Sequence, residues 1–462
     1  MADNYYSGLF IGLAARLLAL GTSFVVIWAF NLAGREVYGV YAYAGSLAAI
    51  AVVIGSFGLD QLLLYRSSQR SAEPQLPLLA AASGRATRIS LAVAAAFLAY
   101  GFINTRYVAH SANLPVYAAL AATIPALAAA NVFAAWHQGR QDFRKALLIP
   151  RASDAIRLLC FLPLGLFIPD VDLYLLVIVI SAWVPMLLYR IDSGALRGQA
   201  GGIDAAGRRY AGHMALIGLV RSGIDNIDII MVGLLTTLDA TAAYALASRA
   251  AAFALLGNQL LGQVTLPRIG AALGASDLAG MMYEYDRHRW LSLLAVLAVA
   301  LLLVLFGPAL LGLFGSYADA LPVMYVLLAT HVFACSFGPV GNALKMGGHA
   351  TQLLASVWVL LALLFVTNLV LIPWLGIVGA ALGTLLSLVA INLLNWWQCY
   401  RIYGLRTTGP LALGVMTAGN AGIYLVATDR SAEGLALLCA ALVVTLGRAL
   451  QGGIKLTKSM GI

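Results

Sequence analysis

Apolar residues run through this chain in long blocks, separated by short polar or charged segments. A helix rises 1.5 Å per residue, so a block of about 20 apolar residues spans a hydrocarbon core of about 30 Å. Fourteen such blocks are predicted. The first six cover residues 9–30, 38–59, 89–108, 114–135, 152–168 and 171–189. The next four cover 214–235, 242–266, 290–314 and 321–344, and the last four 353–372, 376–399, 411–427 and 435–450. The fifth block carries Asp154 and Arg157 near its start. The first block is too long for a signal peptide and no small-x-small cleavage site follows it, so it is expected to persist as a span. The predicted fold class is all-α, a polytopic membrane protein with about fourteen transmembrane helices.

Composition agrees with this pattern. The chain has 462 residues, 62% hydrophobic and only 10% charged. A soluble domain carries roughly 25% charged residues. The net charge of +9 does not point to nucleic acid, because the basic residues are spread over short loops with no dense patch. Their placement fixes an orientation instead. With the N-terminus in the cytoplasm, 21 of the 28 Lys and Arg fall in or at the edge of cytoplasmic segments, three (Arg35, Arg106, Arg430) on or at the edge of the opposite side, and four deep inside blocks. Cytoplasmic loops of inner-membrane proteins carry such an excess. The expected location is therefore a bacterial inner membrane, with both termini cytoplasmic. A missed or invented block would invert every later loop and erase the asymmetry.

Catalytic and metal motifs do not emerge. Cys160, Cys335, Cys399 and Cys439 lie in or beside apolar blocks without metal-ligand spacing. No phosphate-binding GxxxxGK[ST] loop occurs. No cofactor, metal or nucleotide is expected, and the chain does not read as an enzyme. His331, alone in the tenth block, reads as a packing residue, and Trp136, Trp290, Trp374, Trp396 and Trp397 as interface anchors.

The halves echo each other. Leu114-Pro115-Val116 recurs as Leu321-Pro322-Val323, an offset of 207 residues, and Tyr41-Ala42 recurs as Tyr244-Ala245, an offset of 203. Both offsets span six blocks, so the repeat is parallel, as in transporters whose halves rock about a central site. The expected organisation is a six-helix lobe over 1–190, a cytoplasmic loop over 191–213, a second six-helix lobe over 214–402, and two further helices with a tail over 403–462.

Several segments resemble those of a known family. Asn31 to Tyr41 (NLAGREVYGVY) resembles the "LGPEEYGLY" turn of bacterial polysaccharide flippases, with Gly34-Arg35 where that family more often has Gly-Pro. Phe57-Gly58-Leu59-Asp60-Gln61 resembles their "FGLDQ". Ile227 to Gly233 resembles a stretch in which an aspartate sits among apolar residues before Leu-Gly. Leu266-Pro267 and the turn Ile372-Pro373-Trp374-Leu375-Gly376-Ile377-Val378-Gly379 resemble two more. The resemblance is to the polysaccharide transporter (O-antigen flippase, Wzx-like) branch of the multidrug/oligosaccharidyl-lipid/polysaccharide exporter (MOP) superfamily. It implies two pseudo-symmetric six-helix lobes around a central cavity, plus two C-terminal helices. It also implies an undecaprenyl-diphosphate-linked oligosaccharide as substrate, moved from the cytoplasmic to the periplasmic leaflet by alternating access for surface polysaccharide synthesis. Membrane lipids, a polysaccharide polymerase and chain-length machinery are the further expected partners. A lipid II flippase and a drug or cation antiporter are the alternatives on the same scaffold.

Charges inside the blocks are the candidate site, since each costs at least about 2.5–3.5 kcal/mol on insertion scales. Arg16 lies in the first block. Arg221, Asp225 and Asp228 share one helix face at i, i+4, i+7, and Arg221 is expected to pair with Asp225. Asp228 can pair with Arg249 if their two helices are neighbours. Arg16, Arg221 and Arg249 are the candidate substrate-binding residues, because guanidinium stays charged and binds phosphate bidentately. Asp225 and Asp228 are candidates for cavity lining or ion coupling. A purely structural network accounts for the same residues if it only braces one lobe.

Overall fold

The computed structural model describes residues 2–68, 76–108, 113–140, 142–192, 202–404, 410–428 and 430–459. The predicted cytoplasmic charges Arg70, Arg197 and Arg406 lie outside these residues. Among the described residues every regular element is helical. Contacts divide the chain into two compact units, Met1–Ile230 and Met231–Ile462.

The first unit contains α1 (Ala2–Ala33), α2 (Arg35–Ser56), α3 (Leu59–Ser68), α4 (Leu76–Ile103), α5 (Leu114–Gly139), α6 (Phe143–Phe167), α7 (Val171–Asp192) and most of α8 (Ala205–Leu235). The second contains α9 (Leu238–Ala252), α10 (Leu256–Gly274), α11 (Leu278–Gly312), α12 (Ala320–Ser336), α13 (Val340–Met346), α14 (Ala350–Tyr403), α15 (Pro410–Ala427) and α16 (Ser431–Ser459).

Every predicted block falls on helical segments, although 242–266 crosses from α9 to α10 and 321–344 from α12 to α13. Nine described helices are long and apolar enough to cross a membrane, and ten if α12 and α13, bent by 44°, count as one span. The 54 residues of α14 measure about 80 Å at 1.5 Å per residue, enough for two crossings. Its break is local chemistry. Gly376 adopts φ 58, a left-handed backbone that favours glycine. A Cβ on Gly379 would sit 2.2 Å from the Leu371 carbonyl oxygen. Both residues belong to the turn that carries the family resemblance. Charges keep α6 and α8 below the apolar threshold, and α15 is short.

Three expectations need correction. Helix α6 begins at Phe143 rather than at 152, because the Asp142 side chain caps it by accepting the Lys145 backbone N–H. Asp154 and Arg157 therefore sit well inside a helix. Helix α8 begins at Ala205, so part of the expected inter-lobe loop is helical and packs on the first unit. Tyr210 stacks on Tyr65 at 5.2 Å, and the Gly58 Cα approaches the Ala211 carbonyl too closely for any Cβ. Trp136 is not an interface anchor. It is buried, in a cluster with Leu63, Phe133 and Tyr189, because the end of α5 is surrounded by other helices.

Each unit is built around one central helix. In the first, α5 packs against α2, α3, α4, α6 and α7, and in the second α12 packs against α9, α11, α14 and α15. The contact surface of α5 is rich in alanine, with Ala126, Ala128 and Ala129 fully buried. Small side chains let helix backbones approach closely where lipid provides no hydrophobic drive. The pairings repeat: α2 and α4 lie on α5 as α9 and α11 lie on α12. The internal echo read from sequence is thus a repeat of packing. Helices α15 and α16 pair with each other and cover α11 and α12.

Candidate functional site

Arg16 of α1 and Arg221 of α8 both belong to the first unit. Arg16 lies fourteen residues after the start of α1 and Arg221 sixteen after the start of α8, about 21 and 24 Å along their helices. These distances exceed those expected from the blocks alone, because both helices extend further at their N-termini. Arg16 is half-buried and engaged with a partner. The Arg221 Nε lies 3.7 Å from Asp225 Oδ2, with side chains 80% and 59% exposed. The i, i+4 pairing read from sequence is present, and it is an open one. Asp228, one turn on, is half-buried and also engaged. Arg249 is exposed in the last turn of α9. Asp228 belongs to the first unit and Arg249 to the second.

A polar string along α6 was not singled out from the sequence. Arg151 Nη1 reaches Asp154 Oδ2 at 2.7 Å, one turn on. The Thr22 hydroxyl of α1 donates to the Asp154 backbone carbonyl at 3.2 Å. One turn further, Arg157 Nε donates to the Ser181 hydroxyl of α7 at 2.9 Å, and Ser181 donates on to the Ile178 carbonyl. Arg157 lies about 21 Å from the start of α6. Asp154 is matched by Arg151, so Arg157 adds a cation that only a neutral hydroxyl holds among the contacts described here. The signal was in the sequence: a charged i, i+3, i+6 series inside an otherwise apolar block. Reading that series as a span boundary hid it.

Protein shelters neither charge of the exposed Arg221–Asp225 pair, and a charge left in lipid is costly. Wet, exposed arginines on membrane helices bind anionic headgroups through charge-assisted hydrogen bonds. They provide no nucleophile or general base.

Comparison with known proteins agrees with this architecture. The MatE family model matches residues 214–374. No curated protein matches the chain in sequence. Among solved structures, the lipid II flippase MurJ in an inward closed conformation is similar over 99% of this chain and 100% of its own, at 12% identity and a TM-score of 0.69. An inward-facing multidrug resistance transporter of the MATE family is similar over 86% of this chain and 96% of its own, at 14% identity and a TM-score of 0.67. A MOP superfamily transporter from Pyrococcus furiosus, described as having a binding pocket of reversed polarity, is similar over 88% of this chain and 96% of its own, at 14% identity and a TM-score of 0.60. The chain is a multi-pass membrane protein with the fold seen in these MOP superfamily transporters, and its residues 214–374 match the MatE family model.

Proposed function

We propose that this protein is a flippase for an undecaprenyl-diphosphate-linked oligosaccharide, carrying it from the cytoplasmic to the periplasmic leaflet of a bacterial inner membrane. The observation that carries the reading is the excess of arginine among the charges on the membrane helices. Arg16, Arg151, Arg157, Arg221 and Arg249 outnumber Asp154, Asp225 and Asp228. A cationic drug would call for the opposite balance. A diphosphate carries the complementary charge, and Arg16 and Arg221 would meet its headgroup as it enters. The resemblance of the Asn31–Tyr41, Phe57–Gln61 and Ile372–Gly379 segments to polysaccharide flippases supports the oligosaccharide. Alternating access of the two lobes would move it, and the polymerase and chain-length machinery would receive it.

A second reading, a flippase for lipid II, draws on the full-length likeness to MurJ. The MATE transporter likeness covers 13 percentage points less of the chain, about 60 residues. That is the length of the segment holding α15 and α16. Both flippase readings share the diphosphate and differ in the sugar.

Deletion of the gene and complementation with Arg16→Ala, Arg221→Ala and the two lysine variants tests the reading. Surface polysaccharide is scored at membrane levels matched by immunoblot. Loss of polysaccharide in the alanine variants, with poor rescue by lysine, is expected. Normal polysaccharide from both alanine variants would remove these residues from transport. Lysis with arrested peptidoglycan synthesis, rather than loss of polysaccharide, would select lipid II.

A further inference from the structure

One cluster in the first unit plays no part in this reading. At the end of α5, His137 is buried, 3% exposed, between aromatic rings. Tyr189 of α7 stacks on it at 5.4 Å and Trp136 meets it edge-on at 4.8 Å. Both ring nitrogens face carboxylates. Nδ1 lies 3.7 Å from Asp142 Oδ2, and Nε2 lies 3.5 Å from Asp192 Oδ2. Nε2 is buried without a hydrogen-bond partner. A cavity of about 400 Å³ opens beside the ring.

This arrangement does not suit a neutral imidazole. A neutral ring donates from one nitrogen and presents a lone pair from the other. With a carboxylate at each nitrogen, one lone pair must face an oxygen that also only accepts. Imidazolium alone offers a donor to both. Every group facing the ring enters the balance. Arg140, the residue that follows α5, is stacked over Trp136 at 4.7 Å and opposes a further positive charge. So does Lys145 of α6, whose Nζ bonds Asp192 at 2.6 and 2.9 Å. Asp142, which caps α6, and Asp192, the last residue of α7, favour it. The Tyr189 phenol donates away, to the Lys145 carbonyl. Leu76 of α4 is aliphatic, and α3 approaches through Ser67, against Gly139. With His137 neutral, two cations and two anions cancel, and protonation adds one charge. Burial opposes that charge, while the C-terminal end of the α5 dipole favours it. Lys145 Nζ already occupies the space between the carboxylates, 3.9 Å from Asp142, where a metal ion would need to sit.

The geometry points to His137 as a proton-binding site whose imidazolium bridges Asp142 and Asp192. The 3.5 and 3.7 Å separations are too long for hydrogen bonds. Protonation closes them, drawing the start of α6 and the end of α7 onto the end of α5. The cavity, lined by His137 with Arg140, Asp142 and Lys145, gives the proton a route to the ring. The ligand is the proton itself, so this inference does not depend on which lipid is carried.

The test is an NMR titration of the full-length protein in detergent micelles or nanodiscs, with ¹⁵N-labelled histidine. The His137 signal is assigned by its loss in His137→Asn. Hydrogen exchange over residues 137–146 is measured at the same pH values. Protonation of the ring within the titration is expected, with slower exchange on acidification in the wild type and no such change in His137→Asn. Asp192→Asn and, separately, Asp142→Asn are each expected to lower the midpoint by about one unit. A ring that stays neutral down to pH 5 in the wild type overturns the proposal, whether or not the variants fold. A midpoint unmoved by both substitutions overturns it as well, leaving His137 as a stacked spacer.

Discussion

Replacing Arg221 with alanine separates a substrate contact from a brace. The Arg221–Asp225 pair is an i, i+4 contact at 3.7 Å with both side chains mostly exposed. Exposed helix pairs contribute about 0.3–0.5 kcal/mol. At about 2–4 °C per kcal/mol for a unit of this size, the melting temperature should fall by about 1–2 °C. A guanidinium on a diphosphate is a charge-assisted contact of about 1.5–3 kcal/mol, which corresponds to about a 10- to 150-fold loss of transport if it acts on the translocation barrier. Arg221→Ala should therefore keep its fold and lose its transport. The assay pairs thermal unfolding of the purified protein in detergent with polysaccharide export at matched membrane levels. Asp225→Asn should melt within the same 1–2 °C and keep most of its export, since it removes only a competitor for Arg221. A fall of more than about 5 °C in Arg221→Ala, with export following the folded fraction, would refute this and make the pair a brace.

Gly101→Ala and Gly84→Ala, both on α4, should move stability in opposite directions. A Cβ at Gly101 would lie 2.5 Å from the Cβ of buried Tyr117, whereas Gly84 has open space. Overpacking costs about 1–3 kcal/mol, against a helix gain of about 0.5–1 kcal/mol from replacing glycine. Equal melting shifts in the two variants would show that α4 and α5 are not packed this closely. Asp228→Asn and Arg249→Gln should each lower protein level or export, and the double variant should recover part of the loss if the two charges compensate each other. A double variant no better than the worse single one excludes the pair. A cysteine placed at position 201, in a background lacking the native cysteines, should resist a thiol reagent confined to the periplasm. Labelling there would invert the proposed topology.

Length and apolarity made the helices legible. The fourteen blocks fell on helical segments, two of them straddling a break and two sharing α14, and the Leu-Pro-Val echo marked the starts of α5 and α12, the two central helices. Helix starts were less legible, because hydropathy reports the apolar stretch and misses the polar turns that extend it. Asp142 begins α6 nine residues before its apolar block, and Ala205 begins α8 inside what reads as a loop. The same blindness hid Arg157, whose partner Ser181 comes from another helix. The Arg221–Asp225 contact was readable because it is local to one helix. The His137 cluster was not, since its carboxylates arrive from α6 and α7 and only the fold brings them to the ring.

Translocation by the purified protein tests the central claim most directly. The chain is reconstituted into liposomes carrying a fluorescent undecaprenyl-diphosphate-linked oligosaccharide, and the inner-leaflet pool is followed as it becomes accessible to an external quencher. The wild type should expose that pool faster than protein-free vesicles, and the Arg16→Ala/Arg221→Ala double variant should expose it at the protein-free rate. Exposure by the wild type no faster than in protein-free vesicles, with uptake of a cationic dye instead, would contradict the account.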